Sequence, residues 1–173
     1  MTAASGRVCI QHEDFDLGAE VARLRAGDGG VGAVAAFVGT VRDRSDGRAV
    51  ASMELEHYPG MTEAAIEAMI DQAVARFDIR AARVIHRIGE LAARDQIVLV
   101  AVTSAHRGDA FQACEFLMDY LKTNAPFWKK ESTDAGARWV DARVADDAAL
   151  ARWGIESGNA ADAAPAPLRP PGP

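Results

Sequence analysis

Residues 96–133 read QIVLVAVTSAHRGDAFQACEFLMDYLKTNAPFWKKEST, and this stretch decides the fold. It opens with an apolar run over Ile97–Val102, which predicts a buried, central strand. A helical pattern follows from about Gly108 to Asn124, and Pro126 ends it because the residue before a proline disfavours α geometry. The predicted core face of this helix consists of Phe111, Cys114, Met118 and Leu121. The segment after the proline has strand character, so the stretch predicts a strand, a helix and a second strand.

The patterns on both sides extend this unit into an α+β domain. Residues 59–78 predict a second main helix, with Thr62 as its N-cap. Three further strands are predicted at 31–41, 49–58 and 82–91, the first of them buried. The second strand alternates and is half-buried, with Ala51, Met53 and Leu55 on one face. PFWKKES and RWVDARV predict a hairpin across the turn sequence TDAGA.

The two ends of the chain are less regular. Residues 1–30 are weakly patterned, apart from a short predicted helix at 17–25, and they end in the flexible sequence GDGG. Residues 154–173 are rich in alanine and proline and are predicted to be disordered. The domain is therefore expected to span residues 31–153.

Composition excludes several classes of function. The chain has 173 residues and a formal net charge of -6, so it should repel nucleic acid and anionic membranes as a whole. It has neither a signal peptide nor an apolar stretch long enough to span a bilayer, and a cytoplasmic location is expected. Two cysteines do not make a disulfide framework or a metal motif.

All the lysines of the chain lie within nine residues, at Lys122, Lys129 and Lys130, whereas the other sixteen of the 19 basic residues are arginines. One interpretation is a solvated basic turn, in which Lys122 only complements the dipole at a helix C-terminus. The other is chemistry, because an ammonium group can lose its proton near other cations and a guanidinium group cannot. On a strand, Lys129 and Lys130 point to opposite faces, and the pattern leaves open which of them faces a pocket.

Other cations are candidates for binding an anion. His106 and Arg107 are expected at a helix N-terminus, where free N–H groups attract negative charge, although Ser104 or Asp109 could simply cap that helix. Arg42 follows the first predicted strand and is either an anion ligand or a solvated loop residue. His57 and His86 lie on predicted strands and are interpreted as structural. None of the common nucleotide, zinc or hydrolase motifs is present.

Five segments, in the order FVGTVRD, LEHYPGMTE, VIHRIGEL, VTSAHR and MDYLKTNAPFWKKE, resemble the family of large, catalytic subunits of molybdopterin synthase. The resemblance covers about residues 31–153. It implies an α/β hammerhead fold and an enzyme that inserts two sulfurs into cyclic pyranopterin monophosphate to form a dithiolene. It further implies that a small β-grasp carrier ending in Gly-Gly delivers sulfur as a C-terminal thiocarboxylate, and that two large subunits form the centre of a heterotetramer.

The resemblance also implies roles for individual residues. Lys122 and Lys129 match the catalytic lysines, and no metal or cofactor is expected at this step. The matching substrate-binding positions are Thr40, Val41, Arg42, His106, Arg107, Lys122, Lys129, Lys130 and Glu131, with His106 and Arg107 expected to act across a dimer interface. The alternative is a non-catalytic scaffold that holds the tail of a β-grasp protein in a basic groove.

Overall fold

The computed structural model describes residues 6–45, 47–140 and 144–155. In chain order, the elements are β1 Val8–Gln11, α1 Leu17–Arg25, β2 Ala33–Thr40, β3 Arg44–Ser45, β4 Arg48–His57, α2 Met61–Arg76, β5 Ile79–Arg87, β6 Gly89–Ala92, β7 Gln96–Ser104, α3 Arg107–Asn124, β8 Phe127–Thr133, β9 Gly136–Val140 and α4 Val144–Ala151. These elements confirm the α+β prediction. The disorder predicted from residue 154 is wrong for its first two residues, since Ile155 packs against the larger core, and the rest of the predicted tail lies outside the described residues.

The larger core is built on a four-stranded sheet with the order β1-β5-β7-β2. Strand β7 is interior, as predicted, and residues Leu99–Val102 are fully buried in it. Helices α2 and α3 cover one face of the sheet through side chains such as Ile70 and Phe116. Helix α1 lies on the other face, where Leu24 packs near Phe15 and Ile85. Because α3 follows β7 in the chain, it runs back along the sheet and packs beside β2.

The second sheet includes β8, the strand on which Lys129, Lys130 and Glu131 lie. Its order is β3-β4-β8-β9, and β6 also pairs with β4. The β8–β9 hairpin was predicted, and it pairs with β4 through neighbours such as Leu55 and Lys129. The two sheets are joined by a small core in which Val41 packs with Met53, Leu55 and Leu91.

Several local predictions were wrong. Strand β2 is an edge strand among the described strands, with Val34 37% and Phe37 40% exposed, so it is not buried as predicted. Ala51 is exposed because the register between β4 and β8 shifts between Val50 and Ser52, and this irregularity breaks the expected alternation. Phe111 is 67% exposed and so is not part of the core face of α3.

Two helix assignments differ as well. The N-cap of α2 is Gly60, at φ 83°, a conformation that favours glycine, and Thr62 is the second residue of the helix. Helix α4 was not predicted, and neither was β1, which pairs in parallel with β5.

Candidate functional site

A cleft of about 650 Å³ opens between the two sheets, beside the C-terminal end of α3. Its apolar wall includes Met53 and Leu55 from the second sheet and Val98 from the first. The charged side chains that line it are Arg42, Arg44, Lys122, Lys129 and Glu131. Four cations and one carboxylate give the cleft a positive balance in a chain whose formal net charge is -6.

The end of β2 supplies Thr40, Val41 and Arg42. The register between β2 and β7 shifts after Gly39, so the chain leaves the sheet here. Val41 is fixed on both sides, because its N–H donates to the Asp95 carbonyl (2.9 Å) and its carbonyl accepts from the Arg94 N–H (2.8 Å). Val41 is only 2% exposed, so burial and two backbone hydrogen bonds hold the chain in place at this residue. The next residue, Arg42, is exposed and lines the cleft.

The end of α3 supplies Lys122. The buried residues Met118 and Leu121 attach this last turn to the core, while Lys122 itself is exposed and lines the cleft. The helix dipole favours a cation in the last turn of α3, and Lys122 places its positive charge there, at the edge of the cleft.

Strand β8 supplies Lys129 and Glu131, and it decides which of the two neighbouring lysines faces the cleft. Residues Phe127, Lys129 and Glu131 alternate onto the cleft side, Trp128 also contributes to the lining, and Lys130 is not among the cleft-lining residues. The Lys129 Nζ lies 2.8 Å from Oε1 of Glu131, whose side chain is almost completely buried. Lys130 lies opposite Glu54 on the neighbouring strand.

His106 and Arg107 do not reach this cleft within one chain. They are exposed at the start of α3, whereas Lys122 is in its last turn. Fifteen residues of α-helix separate Arg107 from Lys122, a distance of about 22 Å at the usual rise per residue. His106 occupies the N-cap position and does not pack into the core, and Asp109 accepts a hydrogen bond from the Asp78 N–H (3.3 Å).

Sequence reasoning left out many cleft-lining residues, among them Arg44, Phe127 and Trp128, and interpreted His86 as structural. The His86 ring stacks on Phe127, with ring centroids 3.8 Å apart. Its Nδ1 donates to the Arg87 carbonyl (2.7 Å), so Nδ1 carries the proton of the neutral ring. Burial is the main cause that lowers the pKa of His86 to about 4; the hydrogen bond to the Arg87 carbonyl opposes this shift, and His57 adds to it. The Nε2 of His57 lies 3.5 Å from Glu63 Oε1.

The fold and the cleft define an α+β protein with a positively charged cleft between its two sheets. The family model described as MoaE protein matches residues 10–124. The chain is 65% identical over 154 residues to the molybdopterin synthase catalytic subunit of Ralstonia nicotianae, covering 89% of this chain and 88% of that protein. The chain belongs to the MoaE family.

Solved structures share the fold. The molybdopterin biosynthesis MoaE protein from Burkholderia ambifaria superposes with a TM-score of 0.76 at 60% identity, covering 86% of this chain and 98% of that one. A complex of subunits 1 and 2 of the molybdopterin-converting factor from Helicobacter pylori has a TM-score of 0.66 at 19% identity, over 80% and 92% of the two chains. At that identity the second match indicates the fold alone.

None of the helices in the described ranges is both long and apolar enough to cross a membrane.

Proposed function

We propose that this chain is the catalytic subunit of a molybdopterin synthase, a sulfurtransferase of molybdenum cofactor biosynthesis. It transfers two sulfurs from the C-terminal thiocarboxylate of a small β-grasp carrier to cyclic pyranopterin monophosphate, which becomes the molybdopterin dithiolene. The observation that carries this proposal is the meeting of Lys122 and Lys129, from two different elements, in one cleft.

The cleft suits the proposed substrates in size and charge. Pockets for small ligands commonly measure about 300–1,000 Å³, and this one falls within that range. The substrate carries a cyclic phosphate and the carrier tail ends in a thiocarboxylate, so two anions must be held close together. Arg42, Arg44 and the two lysines reduce the repulsion between them, and guanidinium groups suit phosphate oxygens in particular.

The two lysines are suited to the proton transfers of the reaction. Opening a cyclic phosphate and releasing an oxygen leaving group both need a proton at the departing oxygen. An ammonium group can supply that proton and take one back, whereas arginine keeps its protons. The Glu131 carboxylate holds the Lys129 ammonium on the cleft side of β8, so one of the two groups is already oriented before substrate binds.

The carrier is the proposed protein partner. The Ralstonia nicotianae relative is named as the catalytic subunit of molybdopterin synthase, and a subunit belongs to an assembly with another chain, which supports such a partner. A carrier tail that ends in Gly-Gly is narrow enough to enter a cleft, and its terminal anion would be attracted by the positive lining. The cytoplasmic location and the absence of a cofactor remain predictions.

A homodimer is proposed because His106 and Arg107 cannot join Lys122 within one chain. Strand β2 is an edge of the larger sheet among the described strands, and Val34 and Phe37 are exposed on it. Antiparallel pairing of β2 with its copy would place the Ala33 end of one strand beside the Thr40 end of the other. Since α3 starts near the Ala33 end, its His106 and Arg107 would then approach the cleft of the second copy.

Single-turnover formation of dithiolene from thiocarboxylated carrier and pterin substrate tests the proposed function. Lys122→Ala and Lys129→Ala should each remove most of the rate, and Lys130→Ala is the matched control because it lies outside the cleft lining. If the wild-type chain binds the carrier but forms no dithiolene, the non-catalytic scaffold is correct and the proposal is wrong.

A further inference from the structure

The junction between the two proposed catalytic lysines is held by residues from three other parts of the fold. Helix α3 ends at Asn124, Ala125 is its C-cap, and β8 begins at Phe127. The Phe127 N–H donates to the Ala125 carbonyl (2.9 Å), so the chain turns tightly at Pro126. Any change in this turn would shift Lys129 relative to Lys122.

Thr62 holds the turn from α2. Its hydroxyl donates to the Pro126 carbonyl (3.1 Å) and accepts from the Tyr58 N–H (3.0 Å), and the residue is fully buried. The hydroxyl is thus used in both directions and connects the start of α2 to the residue that separates α3 from β8. A buried hydroxyl with both partners in place stabilises one geometry, because any movement leaves a polar group without a partner.

The next two residues are held through their rings. Phe127 stacks on His86 from β5, with ring planes inclined by 19°. Trp128 contacts Tyr58, with ring centroids 4.0 Å apart. Pro126, Phe127 and Trp128 are therefore fixed one after another by Thr62, His86 and Tyr58.

We propose that Thr62 and His86 are positioning residues that set the geometry of Lys129 relative to Lys122 before substrate binds. This inference rests on the proposed function, since it assigns the two residues to the same cleft. The two lysines lie on separate elements, and the turn at Pro126 is their direct covalent link. Thr62 holds the Pro126 carbonyl and His86 holds the Phe127 ring, so the start of β8 has a fixed position. Lys129, two residues further on, therefore lies at a fixed distance from the end of α3. The neutral state of His86, favoured by its burial, keeps the stacked ring free of charge beside the cations of the cleft.

The test compares Thr62→Val, which keeps the shape and removes the hydroxyl, with Thr62→Ser, which keeps the hydroxyl. Thr62→Val should lower the single-turnover rate about tenfold, because small misplacements of reacting groups have effects of this size or larger. Thr62→Ser should stay within about twofold of the wild type. Substrate affinity should change less than the rate in both variants. A wild-type rate from Thr62→Val would overturn the proposal.

Thr103→Val is the matched control for loss of a buried hydroxyl. Thr103 is also fully buried, and its Oγ1 donates to the Ala81 carbonyl (3.5 Å) away from the junction. It should leave the rate unchanged. An equal loss of rate in both valine variants would mean that general destabilisation, and not positioning, causes the effect.

The role of His86 has its own pair of variants. His86→Phe keeps a flat ring against Phe127 and should retain most of the rate, whereas His86→Ala removes the stack and should lower it about as much as Thr62→Val. If His86→Ala folds and keeps the wild-type rate, His86 does not position the lysine.

A double-mutant cycle and hydrogen exchange separate this inference from the proposed function. In a Lys129→Ala background, Thr62→Val should change the residual rate less than twofold, because the group that it positions is gone. A full tenfold loss in that background would contradict the inference. Hydrogen exchange of the β8 amides should speed up in Thr62→Val, and this readout does not depend on the reaction. If Lys129→Ala leaves the rate unchanged, the proposed function is wrong. If hydrogen exchange of the β8 amides is unchanged in Thr62→Val, Thr62 does not hold the start of β8 in place and the inference is wrong.

Discussion

The ammonium group of Lys129 and the carboxylate of Glu131 form an ion pair of 2.8 Å on the cleft side of β8, two residues apart on one strand. Their surroundings differ, because the Glu131 side chain is 4% exposed and that of Lys129 is 32% exposed. A buried carboxylate is stable only with partners, so Glu131 draws the lysine towards the protein and restricts its movement. The pair therefore orients the cation while leaving it accessible to an anion in the cleft.

Glu131→Gln should lower the single-turnover rate about 10- to 100-fold by releasing Lys129 from its orientation, an effect expected of a misplaced catalytic group. Substrate affinity should be unchanged or tighter, since the cleft loses the negative charge of Glu131. Glu54→Gln, opposite Lys130 on the other face of the sheet, is the matched control and should keep the wild-type rate. Equal rate losses from both changes would show that the ion pair has no particular role.

Lys122→Arg should be almost as damaging as Lys122→Ala. Arginine keeps the positive charge and suits a helix C-terminus equally well, but its guanidinium is broad and does not exchange a proton usefully. General acid–base roles are typically worth about 10²–10⁴ in rate, and a loss in that range is expected at saturating thiocarboxylated carrier. Carrier binding and melting temperature should stay unchanged. Wild-type turnover by Lys122→Arg would mean that the residue supplies charge alone.

Mixing two inactive variants tests whether Arg107 acts in the second copy. Arg107→Ala and Lys122→Ala homodimers each lack one component of every shared site. After subunit exchange, half of the dimers are mixed and each has one intact site, so activity should recover to about a quarter of the wild-type level. If activity does not recover after verified subunit exchange, Arg107 does not contribute to the site that contains Lys122 of the second copy. A mixture of Lys122→Ala with Lys129→Ala should not recover activity by this route, because both residues line the cleft of one chain.

The burial of His86 should make the protein less stable in mild acid. Its pKa falls from 6.5 to about 4 on folding, chiefly through desolvation. The unfolded chain therefore binds a proton more readily below pH 6.5, and stability is lost as the pH falls from 6.5 towards 4. At pH 5 the loss should be about 2 kcal/mol relative to pH 7, from about 1.4 kcal/mol per pH unit. Urea unfolding of the wild type and of His86→Phe at pH 5 and pH 7 measures this loss of stability.

The change in stability between the two pH values is compared for the wild type and His86→Phe. The difference between them is the contribution of His86, because the other titrating groups are common to both proteins. A His86→Phe protein with the same pH dependence as the wild type would show that this histidine does not titrate differently in the folded state.

Trp153→Ala should destabilise the fold without a direct effect on chemistry. The indole packs edge-on against Phe77 and Phe116, and its Nε1 donates to Asp119 (2.8 Å) on α3. Truncation of a fully buried large aromatic costs about 3–5 kcal/mol, and the partial exposure of Trp153 lowers the expectation to about 2–3 kcal/mol. Trp153→Phe, which keeps a ring and loses the hydrogen bond, should cost about 1 kcal/mol. A melting temperature unchanged in Trp153→Ala would show that the segment after α4 does not contribute to the core.

The segment at 96–133 was predictable because its signals are local. Apolar residues in sequence, helical spacing and one proline determine β7, α3 and the start of β8. The four residues of β1 carry no such signal, since VCIQ is too short for a periodic pattern. The position of β2 at an edge was not visible either, because a run of small apolar residues occurs in both central and edge strands.

The part of the site that consists of residues close together in the sequence was predictable. Lys122 and Lys129 flank the same turn, and the alternation of a strand also places Glu131 on the side of Lys129. The length of α3 already separates Arg107 from Lys122 by several helical turns. The stack of His86 on Phe127 and the hydrogen bond from Thr62 to Pro126 depend on long-range packing between distant segments, which single-sequence patterns do not report.

Strand β1 has a consequence for handling the protein outside the cell. It pairs with β5 through neighbours such as Val8 and Val84, and so covers backbone groups that would otherwise be open to another chain. At four residues, β1 is itself too short to be an efficient template for aggregation. A version that begins at Ile10, where the family match begins, would cut this strand in half and expose the much longer β5. Such a version should precipitate during expression or storage, whereas a chain that keeps Val8–Gln11 should remain in solution.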